Sequence, residues 1–249
     1  MLMSKESIFC DPVRRCSQKG NQGIACQEGM MNFDYKFAIL WDMDGVLVNT
    51  GEYHYAAWKQ TFDELGIPFS KEQFRATFGM NNSGILEIIY ERKLPSEQER
   101  QISERKEKLF RDAVKGNAKL LPGIAEALEN FSAWKLKQAI ASSAPPKNID
   151  VLVQELHIGK YFNAVVSAYD MPSKPDPAVF LRAAQQLDVE PENCTVIEDA
   201  VAGVEAAKNA DMKCIAVTTT NTATALSKAD LVLGSLAGLE RDSFLKLLN

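Results

Sequence analysis

Six short apolar runs recur after Lys36, and helical stretches separate the later ones. The runs have the length of buried strands and lie at residues 37–41, 138–142, 164–168, 194–198, 214–217 and 231–233. The intervening stretches carry apolar side chains at the three- and four-residue spacing of amphipathic helices, and lie at 146–156, 177–187 and 200–210. This alternation predicts an α/β fold with a doubly wound parallel sheet, because parallel strands need crossover connections.

One long segment interrupts this alternation, because only helical patterning is present between Thr50 and about Leu120. Its first stretch, EYHYAAWKQTFDELG, ends at Gly66, and glycine commonly terminates helices. We therefore predict that an all-helical module is inserted after the first strand of an α/β core. The predicted division is a module at residues 50–120 and a core at residues 34–49 and 121–249.

Two further patterns give finer expectations for the insertion. Residues 70–73 (SKEQ) and 96–99 (SEQE) have the form of a capping box, in which Ser and Gln or Glu bond reciprocally to the backbone of the first helical turn. Trp58, Phe62 and Leu65 follow helical spacing and predict the packed face of the first inserted helix.

Composition and charge limit the classes of partner. The formal net charge of −5 argues against a nucleic-acid partner, because such proteins usually present a basic face. No apolar run approaches the roughly 20 residues that cross a bilayer, so we expect a cytoplasmic protein with no membrane partner. Residues 1–33 mix polar residues, glycine and cysteine without periodicity and predict a flexible extension. The oligomeric state is left open.

The metal-binding residue types point to an oxygen site. The two histidines, His54 and His157, cannot form a histidine-rich zinc site, and the five cysteines have no CxxC spacing. Cys194 and Cys214 lie beside apolar runs and are expected to be buried as small hydrophobic residues. Any bound metal would therefore be held by oxygen, which favours Mg²⁺.

Polar and charged residues follow four of the predicted strands. In a parallel sheet ligands bind beyond the carboxyl ends of the strands, so these residues are expected to converge. Asp42 and Asp44 follow the first strand, Ser142 and Ser143 the second, Lys174 the third, and Glu198 and Asp199 the fourth. Each motif alone is more often a solvated turn or an ordinary helix start. Their joint occurrence in this order favours a catalytic site.

This set of residue types suits phosphoryl transfer. Asp42, with Glu198 and Asp199, offers hard oxygen ligands for Mg²⁺, and Asp42 can attack phosphorus to form an aspartyl-phosphate. Ser142 and Lys174 would hold the non-bridging phosphoryl oxygens. Asp44 can serve as general acid to the leaving oxygen and as base for the incoming one. The Gly45 backbone would allow close approach of the phosphate.

The same motifs resemble those of the haloacid dehalogenase (HAD) superfamily of phosphoryl-transfer enzymes. Asp42-x-Asp44-Gly-Val is similar to its first motif, Ser142 to its second, Lys174 to its third and Glu198-Asp199 to its fourth. The resemblance runs from about Phe37 to Leu233 and implies a Rossmann-like core. It also implies that Asp42, Glu198, Asp199 and the backbone carbonyl of Asp44 hold Mg²⁺. The inserted helical module resembles the cap of the beta-phosphoglucomutase-like subgroup, which implies a cap domain at residues 50–120 on a catalytic core.

The resemblance extends the candidate site to residues of the cap and its flanks. The added candidates for substrate contact or cap closure are Thr50, His54, Asn82, Lys106 and Ser143. His54 follows the hinge-like NTGEY, and Lys106 matches a cap lysine of the subgroup. Without the resemblance, His54 could equally be a packed or solvent-facing histidine with no role in the site. Lys106, in the charged run SERKEKLF, would be read as a solvated lysine.

Three functions follow from these expectations, in decreasing order of preference. The first is an Mg²⁺-dependent phosphatase of small phosphorylated metabolites, with sugar phosphates favoured as the phosphate-ester substrate. The second is a beta-phosphoglucomutase, and the third is a non-catalytic domain that binds phosphorylated ligands. Asn82 occupies the position where a mutase of the subgroup is expected to carry an arginine for the distal phosphate. Arg75 or Arg92 could supply that charge instead.

Overall fold

The computed structural model describes residues 35–77 and 80–248, and within these ranges six strands form one parallel sheet. The strands are β1 (Ala38–Trp41), β2 (Lys137–Ser142), β3 (Ala164–Ser167), β4 (Cys194–Glu198), β5 (Lys213–Val217) and β6 (Leu231–Leu233). Their order is β3-β2-β1-β4-β5-β6, which confirms the predicted doubly wound topology. The predicted extension, residues 1–33, lies outside the described residues.

Helices follow the strands as predicted. In the described part of the chain, five helices lie between β1 and β2, and the first four of them form the inserted segment. The first four are α1 (Gly51–Glu64), α2 (Lys71–Thr77), α3 (Asn82–Tyr90) and α4 (Ser96–Val114), which we call the helical insertion. The others are α5 (Ile124–Ala133), α6 (Pro146–Glu155), α7 (Ala178–Leu187), α8 (Val201–Asn209) and α9 (Arg241–Leu248), with 3₁₀ turns at Gly159–Tyr161 and Pro191–Asn193. Among the described residues, no helix combines the length and apolar character that crossing a membrane requires.

The central strand β1 is buried on both faces. Ile39 and Trp41 pack into one apolar layer, whereas Ala38 and Leu40 pack into the layer on the opposite side. Successive side chains of a strand point to opposite faces, so a strand covered on both sides needs a continuous apolar run. This explains why FAILW carries no polar alternation.

The helical insertion has its own apolar cluster, and the end of its first helix corrects one expectation. Trp58 and Phe62 are buried in that cluster, but Leu65 is 48% exposed because α1 has already ended at Glu64. The capping box at 70–73 forms, since the Ser70 amide donates to the Gln73 side chain and the Gln73 amide to the Ser70 hydroxyl.

The capping box predicted at 96–99 was wrong. Helix α4 begins at Ser96 itself, and Pro95 occupies the N-cap position with extended backbone. The serine therefore stands inside the first turn, where it cannot cap. The preceding proline has no capping side chain, so the Ser-x-x-Glu pattern is displaced by one residue from the position that would use it.

The chain leaves the sheet for the insertion and returns to it at neighbouring points. Val48 and Leu120 form an isolated antiparallel bridge, and the Leu121 amide donates to the Leu47 carbonyl oxygen at 3.0 Å. The two crossing segments are thus hydrogen-bonded to each other. The exact division into a cap at 50–120 and a core around it stays a prediction.

Thr195 on β4 carries a buried hydroxyl with no hydrogen-bond partner among the described residues. It is fully buried and pairs in register with Ile39. We expect Thr195→Val to raise the free energy of unfolding by about 1 kcal/mol, because it removes an unsatisfied polar group while keeping the shape. For a chain of this size the melting temperature should rise by roughly 2–4 °C.

Thr195→Ser is the matched control for this prediction. It keeps the hydroxyl and removes the buried methyl, so it should lower the melting temperature. Thermal unfolding followed by circular dichroism separates the two variants. A Thr195→Val protein that melts below the parent would mean that the hydroxyl does have a partner.

Candidate active site

Three carboxylates meet at the carboxyl ends of the adjacent strands β1 and β4. Asp42 directly follows β1, its amide donating to the Ile197 carbonyl oxygen at 3.0 Å, while Glu198 ends β4 and Asp199 follows it. Each residue offers one carboxylate oxygen, and these oxygens lie within 4.8 Å of one another. All three side chains are buried. The convergence expected from the strand ends is therefore present.

Lys174, in the loop after β3, reaches into this cluster. Its ammonium donates to Asp42 Oδ1 at 2.5 Å and to Glu198 Oε1 at 2.6 Å. Burial alone would lower the pKa of Lys174, but the Asp42 and Glu198 carboxylates raise it above its usual value. The lysine is therefore charged, and it links the acid after the first strand to the acid at the end of the fourth.

The cluster carries more negative charge than Lys174 can neutralise. Burial, opposed by Lys174 and reinforced by neighbouring carboxylates, raises the pKa of Asp42 well above its ordinary value. Burial and the Glu198 carboxylate raise the pKa of Asp199 to about 7. Buried acids with raised pKa values and free oxygen atoms fit a hard divalent cation, which would offset their repulsion.

Backbone and side-chain donors hold the two acids of β4. Glu198 Oε2 accepts from the Asp199 and Ala200 amides at 2.8 and 2.9 Å. The Thr220 hydroxyl donates to Asp199 Oδ2, and the Asn221 amide group donates to the Asp199 carbonyl oxygen. Thr220 and Asn221 were not predicted. The polar run TTTN after the fifth predicted strand was their sequence signal.

Two glycines leave room for the acidic side chains. Gly45 has φ +86°, and a Cβ there would overlap the Asp199 carboxylate. Gly203 lies inside α8, where a Cβ would overlap the Glu198 carboxylate. Gly45 was expected to let a phosphate approach its backbone, whereas the close neighbour that the structure shows is the Asp199 carboxylate, and Gly203 was missed. Its signal was a glycine within the helical stretch AVAGVEAAKNA, where glycine costs helix stability unless packing requires it.

Asp44 occupies a different environment from Asp42. The Thr50 hydroxyl donates to Asp44 Oδ1 at 2.5 Å, and His54 Nε2 lies 3.5 Å from the same oxygen. Burial alone would raise the pKa of Asp44, but His54 and Thr50 lower it below its ordinary value. The two acids, only two residues apart, thus have pKa values shifted in opposite directions.

His54 and Lys106 extend this second environment into the insertion. The Lys106 ammonium lies 3.0 Å from His54 Nδ1, and the imidazole stacks on Phe110 with the ring centroids 4.1 Å apart. A charged ammonium can only donate, so Nδ1 accepts and the imidazole proton lies on Nε2, facing Asp44. Burial and the Lys106 charge lower the pKa of His54, consistent with a neutral ring.

The remaining candidates differ in their burial and in their hydrogen-bond partners. Lys106 is only 3% exposed, which excludes the solvated alternative. Ser142 is buried at the end of β2 and accepts the Ala144 amide, whereas Ser143 is exposed. Asn82 donates its side-chain amide to Glu107 Oε1 at 2.8 Å. This contact links Asn82 to the site through Glu107, a residue that was not predicted.

The parallel sheet, the acid pair after its central strand and the acid cluster beside it define a phosphoryl-transfer type of enzyme site. A sequence profile of the haloacid dehalogenase-like hydrolases matches residues 38–211, more than half of the chain. The protein belongs to that family and is an enzyme, as the motif pattern predicted.

Its relatives include both mutases and phosphatases. Beta-phosphoglucomutase of Bacillus subtilis is 34% identical over 72% of this chain and 82% of its own length. Phosphorylated carbohydrates phosphatase of Thermotoga maritima is 31% identical over 71% of this chain and 82% of its own length. A crystal structure of beta-phosphoglucomutase from Clostridium difficile has a TM-score of 0.76 at 29% identity, covering 85% of this chain and 96% of that chain.

Proposed function

We propose that the protein is an Mg²⁺-dependent phosphatase of small phosphorylated metabolites, with sugar phosphates as the substrate class, that acts in the cytoplasm through an aspartyl-phosphate. The observation that carries the proposal is the pair of acids in two environments. Asp42 contacts the Lys174 ammonium within the acid cluster, while Asp44 is held by Thr50 and His54. Two neighbouring carboxylates held by separate sets of partners can take different catalytic roles, one as the nucleophile and one as the proton carrier.

Asp42 is the nucleophile in this proposal. Its carboxylate oxygen attacks phosphorus, the bond to the ester oxygen breaks, and the Lys174 ammonium stabilises the charge that develops on the phosphoryl oxygens. The Ser142 hydroxyl would donate to another of those oxygens. When bound, Mg²⁺ would supply charge neutralisation and a Lewis acid for the phosphoryl group. The residues that would hold it are Asp42, Glu198, Asp199 and the Asp44 backbone carbonyl.

Asp44 moves the proton in both half-reactions. It gives a proton to the departing ester oxygen, and then removes one from the water that hydrolyses the aspartyl-phosphate on Asp42, which restores the protonated acid for the next turnover. The Thr50 hydroxyl and the His54 Nε2–H hold its carboxylate, which favours the basic form that the second half-reaction needs. Closure of the insertion over the site would exclude other water.

Hydrolysis is favoured over the mutase reaction by the neutral residue at position 82. A mutase must hold a sugar bisphosphate during turnover, and arginine suits the distal phosphate because its planar fork binds two oxygens. Asn82 has no charge, and its amide group is already bonded to Glu107. Arg75 and Arg92 are exposed on the surface of the insertion.

Beta-phosphoglucomutase activity remains the second candidate. It is supported by the 34% identity to the Bacillus subtilis enzyme of that name and by the His54–Lys106 contact, because both residues resemble cap residues of that subgroup. The CbbY protein of Rhodobacter sphaeroides, solved with xylulose-(1,5)-bisphosphate, is a structural neighbour with a TM-score of 0.74 at 26% identity, covering 81% of this chain and 95% of that chain. A sugar bisphosphate is thus a reasonable test ligand for either activity.

A product assay separates the two activities. The protein is supplied with Mg²⁺, beta-glucose 1-phosphate and a trace of glucose 1,6-bisphosphate, and glucose 6-phosphate and free phosphate are measured together. We expect free phosphate as the main product, and a panel of sugar phosphates and nucleotides then ranks the substrates. Glucose 6-phosphate forming much faster than free phosphate would make the protein a mutase.

Mg²⁺ should stabilise the fold as well as support turnover. At a hundredfold excess over its dissociation constant, a bound ion contributes about 2.7 kcal/mol, which corresponds to a rise in melting temperature of roughly 5–10 °C. Removal with EDTA should abolish phosphate release. Asp199→Asn should largely abolish the Mg²⁺-induced rise. Asp188→Asn should keep it, because Asp188 lies at the C-terminal end of α7, where its carbonyl oxygen accepts from Lys137 at the start of β2.

The size of this rise should depend on pH. The pKa of Asp199 is about 7 in the folded, metal-free protein, against an ordinary value of 3.8. Between these values the unfolded chain has released the proton and the folded chain retains it, so metal-free stability falls as pH rises from about 4 to 7. Mg²⁺ needs the ionised acid, so its effect should be larger at pH 8 than at pH 5. An equal rise at both pH values would contradict the assigned site.

A further inference from the structure

Glu107 on α4 is a buried carboxylate that the proposed mechanism does not use. It is 6% exposed, and three donors surround it. Its Oε1 accepts from the Lys106 ammonium and the Asn82 amide group, both at 2.8 Å, and its Oε2 accepts from the Asn148 amide group at 2.5 Å. A buried charge is tolerated only with such pairing. The three donors are therefore what allows the Glu107 carboxylate to be buried.

Asn148 connects this carboxylate to the core. It is the third residue of α6, the helix that follows the Ser142 loop, and it is completely buried. Its Oδ1 accepts from Arg111 at 2.9 Å, so two side chains one turn apart on α4 hold the two ends of one core amide. We call Glu107, Arg111 and Asn148 the clasp. It joins the helical insertion to the core.

The other side of Glu107 leads to Asp44. Lys106, which Glu107 holds, also bonds to His54 Nδ1 at 3.0 Å, and His54 Nε2 faces Asp44. The Glu107 carboxylate also opposes the effect of burial, which lowers the pKa of Lys106. The side chains from Asn148 to Asp44 thus form one continuous series of polar contacts, with Glu107 between its core end and its catalytic end.

We propose that Glu107 is a positioning residue that orients Asp44, through Lys106 and His54, while the clasp holds the insertion on the core. The inference rests on the acid/base role of Asp44 in the proposed function. Opening of the clasp would release Lys106 and His54 together with the insertion.

Glu107→Gln tests the carboxylate at nearly constant shape. All the groups that face Glu107 are donors, so the new amide NH₂ must oppose either Lys106 and Asn82 or Asn148. We expect kcat/KM for an alkyl phosphate such as a sugar phosphate to fall roughly 10- to 100-fold. The loss should be smaller for p-nitrophenyl phosphate, whose leaving group needs no protonation. An equal loss of kcat/KM for both esters would mean that Glu107 has a structural role and does not position Asp44.

Exchanging the two partners provides the rescue. Asn148→Asp alone sets two carboxylates against each other and should also lower activity. Combined with Glu107→Gln, it restores a donor facing an acceptor and leaves an acceptor for Arg111, so the double variant should recover most of the lost activity and melting temperature. A double variant no better than the poorer single variant would overturn the proposal. Glu104→Gln, exposed on the same helix, is the matched control and should leave kcat/KM unchanged.

Thermal unfolding of the parent, the two single variants and the double variant needs no substrate. A non-additive recovery of melting temperature in the double variant tests the clasp even if the protein releases no phosphate from any ester. Failure of the proposed function would be recognised by a parent protein without turnover. Failure of the inference would be recognised by additive losses in melting temperature, or by the missing difference between the esters.

Discussion

Replacing Asp42 by Asn should abolish phosphate release while leaving the fold intact. The amide keeps the size of the side chain but is a far weaker nucleophile than a carboxylate, so no aspartyl-phosphate forms. We expect turnover to fall by roughly 10⁵- to 10⁶-fold, the scale seen when a covalent nucleophile is removed. Steady-state phosphate release over a long incubation measures the residual rate.

The fold should tolerate this change because the Asp42 charge is already disfavoured in the metal-free protein. Burial raises the pKa of Asp42, and the amide oxygen of Asn can still accept from Lys174. Melting temperature should therefore change by only a few degrees. Asp150→Asn, exposed on α6, is the matched control and should retain full activity. Substantial turnover by Asp42→Asn would refute the assignment of the nucleophile.

Asp44→Asn should slow the reaction by roughly 10²- to 10⁴-fold, the usual contribution of a general acid/base. The amide can still accept the Thr50 hydrogen bond, but it cannot carry a proton between the ester oxygen and water. The defect should be larger for alkyl phosphates than for p-nitrophenyl phosphate, because only the alkyl leaving oxygen needs protonation. Single-turnover kinetics on both esters would separate the two half-reactions.

The aspartyl-phosphate gives this prediction a direct check. If p-nitrophenolate leaves without protonation and hydrolysis needs Asp44 as base, Asp44→Asn should accumulate phosphorylated protein after mixing with p-nitrophenyl phosphate. Acid quenching and intact-mass measurement would detect the added phosphate, and the Asp42→Asn protein should show none. A wild-type rate on alkyl phosphates in Asp44→Asn would remove the acid/base role.

The sheet and its acids could be predicted because their signals are local. Each strand is a short apolar run bounded by polar residues, and Asp42, Glu198 and Asp199 stand directly at strand ends that a parallel sheet brings together. Once the strand order is known, no further contact is needed to bring these carboxylates within reach of one metal ion. The first and fourth strands are neighbours in the sheet, as this requires.

The clasp could not be predicted because it depends on which face of α4 is covered. The run SERKEKLF has the composition of a solvated helix surface. In the structure Lys106 and Glu107 lie on the buried stripe with Ser103 and Phe110, and the core amide that completes their bonding, Asn148, is remote in sequence. The spacing of the stripe was a usable signal, but the polar partners that permit the burial arise only from tertiary packing.

The hydrogen-bonded crossing at Val48 and Leu120 allows the length of the insertion and the sequence of the sheet to change separately during evolution. Because the chain departs and returns at adjacent points, the insertion can lengthen, shorten or change sequence without altering strand register in the sheet. Residues of the insertion outside the clasp and the His54–Lys106 pair can then vary while the carboxylates at the ends of β1 and β4 keep their geometry. Exchange of the whole insertion would also have to match the residue at position 148, because Glu107 and Arg111 both bond to Asn148.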